Sequence, residues 1–470
     1  MIVSAGPIVL TAADVAAAVG GRLTRGDAAA RFEHGFSTDS RRVGPGQLFI
    51  ALRGERFDAA AFVDAAVGAG AAGVLAARDT APPSGDAAVI EVGDALAALQ
   101  ALGRHMRRLS GASVVAITGS AGKTSTKEAA AEFLATRYRV YRNAGNLNNH
   151  IGLPISLLEL GSRPEVAVVE LGMNHAGEIR RLVELAEPDV RVWLNVGDAH
   201  VGHFASVDAI ADAKAEVLEG ATASTRAVVN ADDERVMARV RGFAGPVTTF
   251  GLSRGADVRA VDIAGRGTLG STARLVTPVG EVAVDVGMPG RAPLLNVLAA
   301  AAIALGYGVP LDRIADTAAA LAAAPRRGEV TRLGKGVVLV DDSYNSSPAA
   351  LAHALDALRA DTGAARRVAV IGEMRELGTF TLALHQESGR RAVEAGVDLL
   401  VAVGGAPAEA LAEAAVGAGL GADAVRHWPS SELAAGPVAA MLRPGDVVLV
   451  KGSRGTRVDI VADRVKAEWA

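Results

Sequence analysis

Lys123 stands behind Gly119, Ser120, Ala121 and Gly122 and ahead of Thr124 and Ser125, and the whole group follows the apolar run 114–117. Glycines let the backbone turn tightly, so that successive N–H groups face inward. With a helix starting behind the turn, those donors and the helix dipole favour an anion. A lysine there reaches terminal phosphates, and a threonine hydroxyl can ligate Mg²⁺. The chemistry predicted is ATP binding. Ile117 occupies the place where the pattern G-x-x-x-x-G-K-[ST] has its first glycine, which leaves a second reading open, a strand-to-helix turn that binds nothing.

Three further side chains could work with such a loop. Glu170 ends the apolar run 166–169, and His200 and His203 follow the apolar run 191–196. Open parallel sheets bind ligands at the carboxyl ends of their strands, so these residues are expected on the rim that carries the loop. A carboxylate there can hold Mg²⁺ against phosphates, although a strand-end acid is also commonly just solvated. Zinc is a poor fit, because the chain has no cysteine and no H-E-x-x-H helix. Only six of 48 basic residues are lysine, at 123, 127, 214, 335, 451 and 466. An ammonium can lose its proton and react where a guanidinium cannot. Lys127, Lys335 and Lys466 are expected on solvated surface, and so, as a plain helical residue in 209–219, is Lys214.

The elements that must position these groups read as alternating strands and helices. Thr11 caps a short helix that ends at Gly20 and Gly21. The polar group Ser37, Thr38, Asp39, Ser40 and Arg41 precedes the turn 44–46 and a strand over 47–52. This is weak evidence for a ligand site and equally simple turn chemistry. The loop opens a second α/β region whose helix is expected over 126–135. Residues 258–286, around Pro278 and Gly280, read as an antiparallel excursion from a parallel sheet. Pro293 is expected to open the next helix, with Asn296 in its first turn. Beyond Pro325 the strands 337–340, 368–371, 399–403 and 447–450 alternate with alanine-rich segments, a separate parallel α/β domain. The fold class expected is α/β in three domains. These are a small N-terminal α/β domain (1–110), a central P-loop parallel-sheet ATPase domain with an antiparallel excursion (111–326) and a C-terminal Rossmann-like α/β domain (327–470).

Bulk properties exclude several classes. A chain of 470 residues exceeds one hydrophobic core. A net charge of −4 argues against nucleic acid or a membrane surface as a general partner. The first ten residues lack a basic segment, so no signal peptide is expected, and no apolar run is long enough to span a membrane. The expectation is a soluble, cytoplasmic monomer.

Six motifs in order carry a resemblance: residues 118–125, 144–149 (A-G-N-L-N-N), 170–179 (E-L-G-M-N-H-A-G-E-I), 213–216 (A-K-A-E), 341–345 (D-D-S-Y-N) and 451–454 (K-G-S-R). The chain resembles the Mur ligases, ATP-dependent amide-forming enzymes of peptidoglycan synthesis. Within them it is most similar to those that add D-alanyl-D-alanine to UDP-N-acetylmuramoyl-tripeptide. The resemblance implies ATP and two Mg²⁺ ions as cofactors, an acyl-phosphate route, and a closing third domain that keeps water out. It implies that Ser37, Thr38, Asp39, Ser40 and Arg41 meet the uridine-bearing substrate, with further substrate contacts from Asn148, Asn149, Asn345, Lys451, Ser453 and Arg454. Gly119, Ser120, Ala121, Gly122, Lys123, Thr124 and Ser125 would cradle the phosphates, and Thr124 and Glu170 would hold one Mg²⁺. His200 and Lys214, the latter as a carbamate, would hold the second. Lys123, Lys214 and His200 are the expected catalytic residues. Asn296 would meet the adenine, Arg327 the nucleotide, and Asp341 or Asp342 the ribose. The chain departs from the family in Ala292 and Pro293, where G-R-H-N is common, and in Ala60, where a histidine is usual. A D-N-P-R motif of the sister ligases and the G-T-N-G-K-G loop of folylpolyglutamate synthases are both missing. A non-catalytic nucleotide-gated module is the alternative from another class.

Overall fold

The computed structural model describes residues 6–54, 58–198 and 201–470. It is a three-domain α/β protein with sheets of five, nine and six strands. By packing, the chain divides into two compact units, Met1–Ala116 with Tyr138–Met173 and Gly177–Val190, and Ile117–Arg137 with Asn174–Ala176 and Arg191–Ala470.

In the first unit the five-stranded sheet runs Arg22–Arg25, Ala88–Val92, Gly73–Ala77, Leu48–Ile50, Phe36–Ser37. Only its first pair is antiparallel. Helix Ala12–Val19 starts at the predicted cap: the Thr11 hydroxyl accepts the Asp14 N–H, and the Asp14 carboxylate accepts the Thr11 N–H at 2.8 Å. It stops at Gly20, whose φ of 62° is left-handed. Helix Ala95–Ser110 buries Leu99, Leu102 and Met106. The same unit holds the parallel pair Val140–Arg142 and Val166–Glu170. Residues 166–169 are buried on both faces, which is why they read as an unbroken apolar run.

The second unit carries the loop and helix Lys123–Ala135, against which helix Arg291–Gly306 packs. Strands Arg226–Asn230, Val247–Gly251 and Val258–Gly265 are parallel, and Ser271–Thr277 and Gly280–Val286 complete the predicted antiparallel excursion. Helix Arg291–Gly306 starts two residues before Pro293, so Asn296 lies in the second turn rather than the first. Proline needs only to sit where its missing N–H has no helical acceptor, and the whole first turn satisfies that.

The six-stranded sheet of this unit runs Glu329–Arg332, Val338–Asp342, Asp446–Lys451, Arg366–Gly372, Leu399–Val403, Val425–Trp428. Five of its strands are parallel and Glu329–Arg332 is antiparallel. Its core is aliphatic, with Val368, Val370, Val401, Val448 and Val450 fully buried. Each such side chain contributes roughly 1.5–3 kcal/mol by leaving water. Among the described residues, no helix is long and apolar enough to cross a membrane.

Candidate active site

Strand Ser113–Thr118 is fully buried from Val114 onward and delivers the chain into the loop. Helix Lys123–Ala135 begins at Lys123 itself, three residues ahead of the sequence expectation, with Gly122 as a left-handed cap at φ 84°. A Cβ on Gly122 would collide with the Asn296 Oδ1, and one on Gly119 would lie 2.9 Å from the Leu194 Cβ. Both glycines are therefore required by close approach as well as by the turn. The Lys123 ammonium donates to the Gly119 carbonyl at 2.7 Å, curling over the loop it serves.

Asn195 braces this loop, a role the motif did not reveal. Its Oδ1 accepts the Ala121 N–H at 2.9 Å, its Nδ2 donates to the Ala121 carbonyl at 3.1 Å, and its own carbonyl accepts the Ser120 N–H at 3.2 Å. Gly197 N–H donates to the Ser120 hydroxyl at 2.8 Å. The signal was present in the sequence as an amide directly after an apolar strand, but nothing local said which loop it would face. Asn296 sits against the same helix and accepts from the Thr126 hydroxyl at 3.3 Å.

Lys214, on helix Val207–Ala215, is 2% exposed. The solvated position that its residue type alone suggested is wrong: its helix is buried along the stretch that carries it, with Ile210, Ala211 and Ala213 buried as well. Enclosure holds the amine well below the usual lysine range, and the positive charge of Lys123 pushes in the same direction. Both influences favour the neutral amine over the ammonium. The prediction of solvated surface also fails for Lys127, which is fully buried and lies 3.2 Å from Glu128. His200 lies outside the described residues. His203, on the turn Val201–His203, packs against His175 with ring centroids 5.3 Å apart and ring planes tilted by 59°. Among the described residues, no cluster of three or more histidine and acidic side chains is preassembled for a metal.

In the first unit Glu170 is 1% exposed at the end of its strand, where the Asn148 Nδ2 donates to its Oε1 at 2.9 Å. The Asn149 Oδ1 accepts the Ile151 and Gly152 N–H groups at 3.1 and 2.8 Å, where helix Gly152–Leu158 begins. Ser37, Thr38, Asp39 and Ser40 lie half-buried after strand Phe36–Ser37. The Arg41 guanidinium grips the Asp39 carboxylate through Nε and a terminal nitrogen, at 2.9 and 2.8 Å. These hydrogen bonds hold the Asp39 carboxyl down at about 2.

At the strand ends of the six-stranded sheet, Asp341 is buried and accepts from the Ser343 hydroxyl at 2.5 Å and the Lys466 ammonium at 2.9 Å. Lys466 is therefore half-buried in an ion pair, and its expected place on open surface is corrected by the carboxylate that needs it. The buried Lys451 donates to Asp342 at 2.7 Å and to the Asn345 carbonyl at 3.0 Å. The Ser453 hydroxyl accepts the Arg375 N–H at 2.9 Å. Arg454 is exposed, and the Arg327 guanidinium lies 3.9 Å over the Tyr344 ring.

Residues 117–304 match the family model of the Mur ligase middle domain, and residues 326–454 that of the Mur ligase glutamate ligase domain. The chain belongs to the Mur ligase family. A similar relative is the UDP-N-acetylmuramoyl-tripeptide–D-alanyl-D-alanine ligase of Mycobacterium tuberculosis, 37% identical over 508 aligned residues that cover 98% of each chain. Among solved structures, MurF from Acinetobacter baumannii superimposes with a TM-score of 0.87 at 30% identity, covering 98% of this Mur ligase and all of the other chain. The MurF ligase of Thermotoga maritima in complex with ADP gives 0.80 at 30% identity over 92% and 97% of the two chains.

Within the second unit this Mur ligase brings Lys123, Thr124, Asn296 and Lys214 around one helix start and its neighbours. It gathers Asp341, Asp342, Asn345 and Lys451 at the carboxyl ends of two neighbouring interior strands. Lys451 and Ser453 spend their polar atoms on their own domain, so the part of the K-G-S-R motif that faces outward is Arg454.

Proposed function

We propose that this Mur ligase joins D-alanyl-D-alanine to the terminal carboxylate of UDP-N-acetylmuramoyl-tripeptide and consumes ATP in doing so. The observation that carries the reading is Lys214, a buried lysine whose pKa is lowered by its enclosure and by the lysine of the phosphate loop. A neutral amine can attack CO₂, lose its proton to solvent and become a carbamate. The new anion would relieve the electrostatic conflict with Lys123, which is a reason for the site to favour it.

A carboxylate is a poor electrophile, and activation is what ATP contributes. The amide-lined loop from Gly119 to Ser125 holds the triphosphate, and Lys123 leaves the Gly119 carbonyl to meet the terminal phosphate. The tripeptide carboxylate then attacks that phosphorus in line, giving an acyl-phosphate and ADP. The amine of D-alanyl-D-alanine adds to the activated carbonyl, and phosphate leaves with the C–O electron pair. Arg41, Asp39 and their neighbours would orient the uridine end, and Arg327 and Asp342 the nucleotide. Each of these groups suits Mg²⁺ by its chemistry: Thr124, Glu170 and the carbamate of Lys214 would offer hard oxygens and His200 a nitrogen, and the ion would offset phosphate charge. We place the enzyme in the cytoplasm, where ATP and nucleotide-linked sugars are held, and as a monomer.

The test is phosphate release from ATP with the two acceptors supplied singly and together. Release that needs both, with amide formed in equal amount, is expected; release that ignores them refutes the ligase and favours a nucleotide-gated module.

A further inference from the structure

The end of strand Val166–Glu170 is clasped by the loop that follows strand Val140–Arg142. The two strands are in parallel register up to Arg142 opposite Val168, and the Asn143 N–H still reaches the Val168 carbonyl at 3.4 Å. Beyond that the chains part, and side chains take over from the ladder. The Glu170 N–H donates to the Asn143 Oδ1 at 3.2 Å, and the Asn143 Nδ2 donates to the Leu147 carbonyl at 3.2 Å. Asn143 is 1% exposed, so it is a rigid post for the loop.

That post delivers Asn148. Its Nδ2 donates to the Glu170 Oε1 at 2.9 Å, and its carbonyl accepts the Gly172 N–H at 2.8 Å. The fit is close: a Cβ on Gly172 would lie 2.9 Å from the Asn148 Cγ and Oδ1 and 3.0 Å from its Nδ2. Residue 172 is thus left without a side chain where the amide lies flat against the strand end.

We propose that Asn148 is a positioning residue for the Glu170 carboxylate, fixing its rotamer for the divalent cation, and is not a substrate contact. The chemistry favours an amide for this task. A lysine or arginine would also orient the carboxylate but would cancel its charge, whereas an amide N–H orients it and leaves the negative charge for a metal. Glu170 fits a hard cation, being an oxygen donor whose rotamer is set before the ion arrives. The inference rests on the reading of the chain as an Mg·ATP ligase.

The experiment uses the full-length protein with a non-hydrolysable ATP analogue and Mn²⁺, followed by electron paramagnetic resonance. Asn148→Leu keeps the side-chain bulk and removes the donor. It is expected to weaken Mn²⁺ binding about 10- to 100-fold, to regain turnover as Mg²⁺ is raised, and to keep its KM for UDP-N-acetylmuramoyl-tripeptide at saturating Mg²⁺. Gly172→Ala leaves every polar group in place but pushes the amide off the strand end, and it is expected to weaken Mn²⁺ in the same direction. If Asn148→Leu binds Mn²⁺ as the wild type does while its KM for the tripeptide rises about tenfold or more, Asn148 is a substrate contact and the inference is overturned. A wild type that takes up no Mn²⁺ with nucleotide overturns the ligase reading itself, and this inference with it.

Discussion

Lys214 and Lys451 are the same residue type and almost equally buried, at 2% and 3% exposed, yet their surroundings are opposite. Lys451 meets the Asp342 carboxylate at 2.7 Å and the Asn345 carbonyl at 3.0 Å, so its ammonium is balanced and ties strand Asp446–Lys451 to the end of strand Val338–Asp342. Lys214 meets enclosure and the positive field of Lys123, both of which lower its affinity for a proton. One is a strut; the other, on the proposed function, is the reagent. Burial alone does not mark a functional lysine; the sign of its neighbour does.

The largest effect should come from the reagent. Lys214→Met is expected to lower amide synthesis about 100- to 1,000-fold, the scale of losing one charge-stabilising group, while the protein stays folded by circular dichroism. Turnover near that of the wild type would make Lys214 a second strut. Next is the strut itself. Lys451→Met leaves Asp342 without its cation, and since that carboxylate keeps some contact with water, the expected loss is about 2 kcal/mol of unfolding free energy, read as a shifted urea midpoint. An unchanged midpoint would remove the contrast.

The smallest effect sharpens it through pH. The native Lys214 amine has a depressed pKa and the unfolded one lies near the ordinary lysine value of 10.5, so between the two the unfolded chain holds one more proton. Stability therefore rises as pH is raised toward 10.5, and it falls as pH drops toward the native pKa, below which both states are protonated. The Lys214 share is up to about 1.4 kcal/mol per pH unit. Urea midpoints at pH 7, 8 and 9 in CO₂-free buffer should climb more steeply for the wild type than for Lys214→Met. Parallel curves would mean that the native amine keeps its proton.

Legibility followed the range of the interactions. The capping box at Thr11 and Asp14, the loop turn at Gly119 and Gly122, and the hairpin at Pro278 are settled within a few residues, and each was readable. So were the fully apolar strands 166–169 and 447–450, whose two buried faces leave a continuous mark. Strands Glu329–Arg332 and Val425–Trp428 were missed because they edge their sheet and carry mixed side chains. Lys466 was misplaced because its carboxylate, Asp341, lies 125 residues earlier, and Lys127 because only packing buries a lysine whose acid is its own neighbour Glu128. Asn195 was invisible as a brace, since its partner loop lies more than seventy residues earlier.

The sequence by itself determined the phosphate loop, the α/β alternation and, through its six ordered motifs, the family, because local turns, apolar runs and fixed spacings are written in neighbouring residues. Only the tertiary structure decided which lysines are buried and which meet a distant carboxylate, which asparagine braces which loop and which amide holds Glu170. A pKa or a rotamer depends on the groups that packing brings close, and those come from distant parts of the chain.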